Sequence, residues 1–160
     1  MPEKHLVTPT LLDRLIDGET HPSGGPDGGL YTLGKYARTL QRDLELLLNT
    51  RQTWAEPLIK GPETINSIMS FGIPDVMGQR LRTIDDRKNF ANDLKNIILR
   101  HDPRFENLRV EMASSSQAAE RILHFRISAR VRIGKSPRRV VFDTTIEPAT
   151  GNARVELTDE

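Results

Sequence analysis

The chain has 160 residues and a mass of 18.1 kDa, the size of a single domain that buries its own hydrophobic core. Its 36% hydrophobic and 28% charged residues are typical of a globular fold, and 23 basic against 22 acidic residues give no global attraction to nucleic acid or membrane. Because the sequence has no cysteine, disulfides, thiolate metal sites and a cysteine nucleophile are excluded.

The first predicted element is a short helix over residues 8–18, TPTLLDRLIDG. Thr8 or Thr10 can cap its first turn, and Gly18 can end it. One side of the helix carries an apolar stripe of Leu11, Leu12, Leu15 and Ile16. Since so short a helix is marginal in water by itself, we expect it to dock on its own domain or on a partner.

Residues 19–29 predict a flexible linker, because a stretch with four glycines and two prolines does not hold regular structure. A glycine-rich loop can cradle phosphate, but this one lacks the Gly-Lys-Ser/Thr ending of a P-loop. We therefore expect a docking helix and a tether over residues 1–29, followed by one folded domain over residues 30–160.

Two long amphipathic helices are predicted, over residues 30–50 and 83–100. The apolar stripe of the first comprises Leu33, Tyr36, Ala37, Leu40, Leu44, Leu47 and Leu48, and that of the second comprises Phe90, Ala91, Leu94, Ile97 and Ile98. Thr83 and Asp86 have the spacing of a capping box at the start of the second helix. Arg51, just past the first helix, is interpreted as a partner of the helix dipole or as a contact to the loop that follows.

Between the two helices, residues 60–76 (KGPETINSIMSFGIPDV) predict a fixed, packed corner rather than a linker. Ile65, Ile68 and Met69 form one apolar turn, which Gly72 and Pro74 then break. Chain breakers this close to residues of the buried type favour one defined conformation.

From residue 107 onward the apolar residues recur with a period of two, which predicts four strands with one apolar face each. Their apolar positions are Leu108, Val110 and Met112; the odd positions from Leu123 to Ile133; Val140, Phe142, Thr144 and Ile146; and Ala153, Val155 and Leu157. We predict an α+β fold in which the two main amphipathic helices pack on a C-terminal antiparallel four-stranded sheet, preceded by the short N-terminal helix. The short turns between the predicted strands favour a meander.

Seven basic residues and no acidic ones lie between Arg121 and Arg139. Arg126, Arg130 and Arg132 alternate with the apolar positions of their strand, so we expect them to face outward together. They fit a solvated outer face, a docking edge for an acidic partner strand or, as the weakest interpretation, a nucleic-acid surface. Nucleic acid is disfavoured because Phe125 has the wrong parity to stack bases between the arginines.

No motif in the sequence singles out a catalytic centre, since neither HExxH nor GxSxG occurs. Acidic residues Glu56, Glu63, Asp75 and Asp102 lie in or beside predicted loops, so a carboxylate pair for glycoside hydrolysis is an open alternative. We expect no catalytic residue, no cofactor and no metal. We also expect a cytoplasmic protein, because the sequence has no signal-peptide core and no apolar run of about 20 residues.

Four segments carry a family resemblance: TPTLLDRLIDG, LLLNTR, SFGIPDV and HDPRFENLRV. Together they resemble the TssE family, which comprises the small baseplate-wedge subunits of bacterial type VI secretion. The TssE family is in turn similar to a phage-tail baseplate family that carries the label lysozyme-like. The Glu-Pro-Arg signature of the family is here Asp102-Pro103-Arg104, which keeps the carboxylate but shortens its side chain. An arginine fixed by a preceding proline beside a carboxylate can pair within the protein or across a subunit interface.

The resemblance implies a structural subunit, not an enzyme, that helps to assemble the baseplate and to start polymerisation of the contractile sheath. It implies the wedge subunits TssF, TssG and TssK and the sheath subunits TssB and TssC as partners, with no nucleic acid, no membrane insertion and assembly on the cytoplasmic side of the inner membrane complex. The predicted partner-binding residues are Asp102, Pro103, Arg104, Arg126, Arg130 and Arg132. The alternative function is that of a peptidoglycan-cleaving, lysozyme-like glycosidase.

Overall fold

The structure is a computed structural model that describes residues 7–16, 31–52, 62–75, 83–112, 122–133 and 136–158. The predicted linker over residues 19–29 lies outside these ranges, as do Gly18, Glu56, Arg121 and both ends of the predicted corner. The expected boundary between residues 1–29 and 30–160 therefore stays a prediction.

The described part of the chain contains four α-helices and a four-stranded sheet. The helices are α1 (Leu11–Ile16), α2 (Leu33–Asn49), α3 (Pro62–Ile65) and α4 (Ile84–His101), and a 3-10 helix spans Ile68–Ser70. The strands are β1 (Phe105–Met112), β2 (Leu123–Ile133), β3 (Ser136–Glu147) and β4 (Asn152–Thr158). None of the described helices combines the length and the apolar character that crossing a membrane requires.

The two long helices are capped by threonine and supply one layer of the core. Thr32 accepts a hydrogen bond from the backbone N–H of Lys35 at the start of α2. Thr83 and Asp86 exchange both bonds of the predicted capping box at the start of α4. Both predicted apolar stripes are buried, with Leu33 partly so. Since α2 packs on β4 and α4 on β1, the helices cover the apolar side of the sheet.

The sheet is the predicted antiparallel meander, with the strand order β1-β2-β3-β4. The odd positions of β2 from Leu123 to Val131 are buried, and β3 buries its even positions from Val140 to Ile146. The helices form one layer and the antiparallel sheet forms the other. This two-layer α+β fold confirms the predicted fold class.

The first strand departs from the predicted pattern at one point. It begins at Phe105, earlier than the period-two pattern indicates, and its register against β2 shifts between Glu106 and Arg109. Asn107 lies in this irregularity with a φ of 50°. The bulge changes the parity of the strand, so that Phe105 and Leu108 both face the core.

The strand that carries the arginines is an interior strand of the sheet. Because β2 pairs with β1 on one side and with β3 on the other, its backbone has no free edge. The interpretation of β2 itself as a docking edge is therefore wrong. Its arginines belong to a face of the sheet, and the edges among the described strands are β1 and β4.

Backbone contacts fix the corner between the long helices. Gly72 has a φ of 105°, and a Cβ at this position would lie 2.4 Å from the carbonyl oxygen of Thr50, so a side chain is excluded. The N–H of Ile73 donates to that same carbonyl at 2.8 Å, and the N–H of Gln52 donates to the Ile73 carbonyl at 3.0 Å. The prediction of a packed corner is confirmed for the described residues.

The apolar turn expected at Ile68 and Met69 does not hold this corner, because both side chains are exposed. Ser70 is buried instead, and its carbonyl accepts a hydrogen bond from Nε2 of His101 at 3.0 Å. The His101 ring also packs edge-on against Phe71, with 5.3 Å between the ring centroids. Polar and aromatic contacts to the last residue of α4 therefore fix the turn.

Candidate partner-binding site

The Asp102-Pro103-Arg104 sequence lies where α4 ends and β1 begins. Asp102 is the C-cap residue of α4, and Pro103 prevents the helix from continuing. Arg104 binds the Asp102 carboxylate with two donors, Nε to Oδ1 at 2.8 Å and Nη2 to Oδ2 at 2.6 Å. Its backbone N–H also donates to Oδ1 at 3.0 Å. The guanidinium group of Arg104, here called its fork, therefore binds the carboxylate of the same motif.

A chain of ion pairs runs from this motif to the N-terminal helix. Nη2 of Arg104 also donates to Oδ2 of Asp43 on α2, at 2.7 Å. Nη2 of Arg42 lies 2.7 Å from Oδ1 of Asp43 and 2.8 Å from Oδ1 of Asp13 on α1. These five residues alternate in charge and form one network, here called the ionic chain. It joins α1, α2 and the junction between α4 and β1.

The N-terminal helix docks through its polar side. Thr10 and Asp13 exchange the hydrogen bonds of a cap, at 3.1 and 3.2 Å. Asp13 is only 1% exposed, whereas Leu11 is 72% exposed and Leu15 is 69% exposed. The helix does dock on its own domain, but through Asp13 rather than through the predicted apolar stripe.

An open cavity of about 390 Å³ lies beside the motif and is here called the junction cavity. Its walls come from α1, from α2, from the corner and from the α4–β1 junction. Its apolar lining includes Leu12, Leu44, Leu46, Leu47, Phe71 and Phe105. Arg104, Asp102 and Asp43 stand at its border. An apolar pocket beside fixed charges is a suitable seat for an anchor side chain of a protein partner.

The surroundings of Asp13 and Arg104 in the ionic chain favour the charged forms of these two side chains. Burial alone would raise the pKa of Asp13, but hydrogen bonds from Thr10, just before α1, and from Arg42 on α2 lower the pKa below the ordinary value of 3.8. Burial also acts against the charge of Arg104, yet its two carboxylate partners raise its pKa above the ordinary value. Desolvation raises the pKa of the Tyr36 phenol beside them. At neutral pH Asp13 and Arg104 are therefore ionised, and Tyr36 is neutral.

The three predicted arginines of β2 lie elsewhere, exposed on the outer face of the sheet. Nε of Arg126 donates to Oδ1 of Asp143 at 2.9 Å, and Nη2 of Arg132 lies 3.0 Å from Oε1 of Glu106. Arg130 stands opposite Glu106 in the strand register. The mutual repulsion of the three arginines is thus partly relieved by acidic residues within the sheet. The six predicted residues form two separate surfaces, not one site.

Side chains of α2 close part of the β4 edge. Nδ2 of Asn49 donates to the Ala153 carbonyl at 2.8 Å, and the Ala153 N–H donates back to Oδ1 of Asn49 at 2.8 Å. Nε2 of Gln41 donates to the Val155 carbonyl at 2.8 Å. An added strand would need these same backbone groups. Within the described residues no strand pairs with the outer edge of β1, so β1 is the edge that can accept one.

The sequence interpretation missed the partners that organise both regions. Asp13 could have been found, because it stands three residues after Thr10 in the spacing of a cap. No local signal marks Asp43 or Asn49, whose partners lie far away in the sequence. Arg51 was interpreted as a partner of the helix dipole or as a contact to the following loop, and its Nη2 donates to the Thr150 carbonyl in the β3–β4 turn, at 2.6 Å.

No grouping typical of a metal site stands out in the ranges that the structure describes. Histidine, aspartate and glutamate form no cluster there that could hold a metal ion. Of the acids considered for glycoside hydrolysis, Asp102 is bound to Arg104, and Glu63 and Asp75 are exposed.

Comparison with known families agrees with the resemblance found in the sequence. The model of the family described as baseplate wedge protein gp25 matches residues 35–136. The match runs from the first turn of α2 into β3, and it includes the corner, the Asp102-Pro103-Arg104 motif and the arginines of β2. No curated protein and no solved structure matches the chain. Because the matched region spans more than half of its length, the chain belongs to the family of the baseplate wedge protein gp25, which is also the family of TssE.

Proposed function

We propose that the protein is a TssE-type wedge subunit of the type VI secretion baseplate and that it helps to start the contractile sheath. The observation that carries this proposal is the family match over residues 35–136. The type VI setting rests on the four resembling sequence segments, which point to TssF, TssG and TssK as wedge partners and to TssB and TssC as sheath partners. We place the assembled subunit on the cytoplasmic side of the inner membrane complex, as a structural part without catalysis.

The junction cavity supports a contact with the wedge. Pro103 is exposed at its border, and the side chain of Arg104 is partly exposed beside it. Since the fork of Arg104 is already bound to Asp102 and Asp43, its main task is to hold the junction rigid. A partner would then contact Pro103 and place an apolar anchor in the cavity, where desolvation makes such contacts strong.

The outer edge of β1 and the arginines beside it support a contact with the sheath. The outer edge of β1 can pair with an extended segment of another chain, and backbone hydrogen bonds would supply most of the affinity. Arg130 and Arg132 lie on the neighbouring strand, next to the β1 residue Glu106. Because these exposed charges lie one strand away from the edge, they would set the rate of approach and the register of an acidic segment.

A charge reversal tests the sheath contact. The double variant Arg130→Glu and Arg132→Glu should slow association with purified TssB/TssC sheath and should weaken the dependence of the rate on salt. The matched control is Lys88→Glu with Arg100→Glu, which changes the net charge equally on exposed residues of α4. Surface-immobilised sheath and stopped-flow mixing at low and high salt both report the rate.

Two results would contradict this part of the proposal. Equal association rates of the wild type and the β2 double variant at both salt concentrations would remove the role of the arginines. Equal slowing by the β2 variant and the α4 control would show that net charge, not the outer face, governs the encounter.

A further inference from the structure

We propose that α1 and the surface on either side of it form a docking site for an acidic amphipathic helix of another chain. The starting observation is the inverted arrangement of α1, whose buried residue is the aspartate Asp13. Its apolar side chains point away from the domain, with Leu11 72%, Leu15 69% and Ile16 60% exposed. Exposed leucine and isoleucine side chains grouped on one helix are characteristic of protein interaction sites.

Contacts before α1 and in its first turn hold this apolar face in position. Before α1, Val7 and Tyr31 exchange two backbone hydrogen bonds, at 2.9 and 2.8 Å. Within α1, Asp13 is bound to Arg42 at 2.8 Å and is fixed by Thr10. A helix of six residues has little stability of its own, so these polar contacts keep it formed while its apolar side stays outward. The face is therefore presented before any partner binds.

The two flanks of α1 differ in chemistry. On one flank Leu12 lines the junction cavity together with Leu46, which is itself exposed. On the other flank lies a shallow recess of about 560 Å³, here called the basic recess. Its charged lining residues are Asp13, Lys35, Arg38 and Arg42. The recess thus carries three cations and one carboxylate, and the carboxylate is already bound to Arg42.

The difference in charge between the two flanks of α1 determines which kind of helix can bind. A helix laid along α1 would bury its apolar stripe on Leu11, Leu15 and Ile16, with the usual spacing of three and four residues. Glutamate or aspartate on one flank of that helix would then lie over Lys35 and Arg38. A helix with basic flanks would be repelled there, whereas the apolar contact would be unchanged. The charge of the recess therefore favours an acidic amphipathic helix.

This surface is separate from the β2 arginines, and it meets the junction cavity of the proposed wedge contact only at Leu12 and Leu46. Its test addresses α1 and the basic recess and needs neither baseplate subunits nor sheath. Failure of the docking site would therefore leave the proposed function standing. Conversely, a protein outside type VI secretion could still use this surface.

The test uses the full chain and a designed peptide of about 18 residues, with leucines along one face and glutamates on the flanks. A fluorescein label reports binding by anisotropy. We expect saturable binding that is at least about tenfold tighter than that of the same peptide with lysine flanks. The double variant Leu11→Ser and Leu15→Ser should weaken binding at least about tenfold, and Arg38→Glu should weaken it as well. Ile84→Ser is the matched control, since Ile84 is an exposed apolar residue on α4 that the site does not include.

Because Leu11 and Leu15 are exposed, the double variant should unfold at the same urea concentration as the wild type. Absence of saturable binding would overturn the proposal. So would equal binding of the glutamate and lysine peptides, or unchanged binding by the leucine double variant. A dimer of the wild-type chain in sedimentation, dissociated by the two serines, would show that the occupant is a second copy and would also overturn it.

Discussion

At Arg104 one guanidinium group joins three elements of the fold, because its donors reach Asp102 at the α4–β1 junction and Asp43 on α2. The proline before it could be recognised in the sequence, and so could the carboxylate two residues earlier. Its second partner could not be recognised, since Asp43 is 61 residues away and stands among several other charges of an amphipathic helix. The arginine and its neighbouring carboxylate could thus be recognised from the sequence, whereas the second carboxylate, on α2, could not.

Replacing Arg104 by alanine should leave the domain folded but less stable. The substitution leaves the Asp102 carboxylate without its cation, and the neighbouring Asp43 carboxylate keeps only Arg42, which we expect to cost about 2–4 kcal/mol in the free energy of unfolding. Urea titration measures this loss. Arg132→Ala is the control, because its pair with Glu106 is 72% and 41% exposed and should contribute less than about 1 kcal/mol. Equal losses from the two variants would contradict the assigned role of the ionic chain.

His101 should make stability depend on pH near neutrality. Burial, with a smaller effect of the Arg100 charge, lowers its pKa below the ordinary value of 6.5 and outweighs the bond to the Ser70 carbonyl. The unfolded chain therefore binds a proton more readily than the folded one, so this contribution to stability is present above pH 6.5 and is lost as the pH falls.

The measurement compares urea midpoints at about pH 7.5 and about pH 5.5 for the wild type and for His101→Gln. Glutamine can still donate to the carbonyl but does not titrate. We expect a smaller shift of the midpoint in the variant. The same shift in both proteins would assign the pH dependence to other groups.

At the scale of elements, the long periodic patterns were the ones that could be predicted. The stripes of α2 and α4 and the alternation in β2 extend over enough residues to define which side faces the core. The orientation of α1 could not be predicted in this way, because α2 and α4 already cover the sheet. The bulge at Asn107 was missed because one residue with a positive φ leaves no periodic signal.

Asn49 should be more important than its exposed position at the end of α2 suggests. Asn49→Ala removes two hydrogen bonds to the Ala153 backbone, and we expect a loss of about 1–3 kcal/mol in the free energy of unfolding. Hydrogen exchange of the Ala153 amide should become faster, since that amide loses its acceptor. Asn92→Ala, at an exposed position of α4, controls for the helix propensity of the new alanine. Unchanged exchange at Ala153 would show that α2 does not close the β4 edge.

At the scale of the whole molecule, the helix layer and the outer face of the sheet present different chemistry. The helix side combines the junction cavity with the outward apolar face of α1. The sheet side combines exposed arginines with the outer edge of β1, which pairs with no other strand in the described ranges. The arrangement fits a part that joins two other components of an assembly. The predicted meander already implied that β2 is an interior strand, and the strand order confirms it.

The alternative function of a glycosidase leads to a separate prediction. The purified protein should not clear peptidoglycan above a heat-inactivated control, because Asp102 is bound to Arg104 and the family is that of a baseplate wedge protein. Turbidity of a cell-wall suspension measures this activity. Clearing that a single substitution such as Glu63→Gln or Asp75→Asn abolishes would establish the enzyme instead.

Co-expression of the chain with TssF, TssG and TssK, followed by affinity purification through a tag on TssG, tests membership of the wedge most directly. All four proteins should elute as one complex, and this chain should stay in that complex through size-exclusion chromatography. Elution of TssF, TssG and TssK together, with this chain folded but recovered only in the unbound fraction, would contradict membership of the wedge.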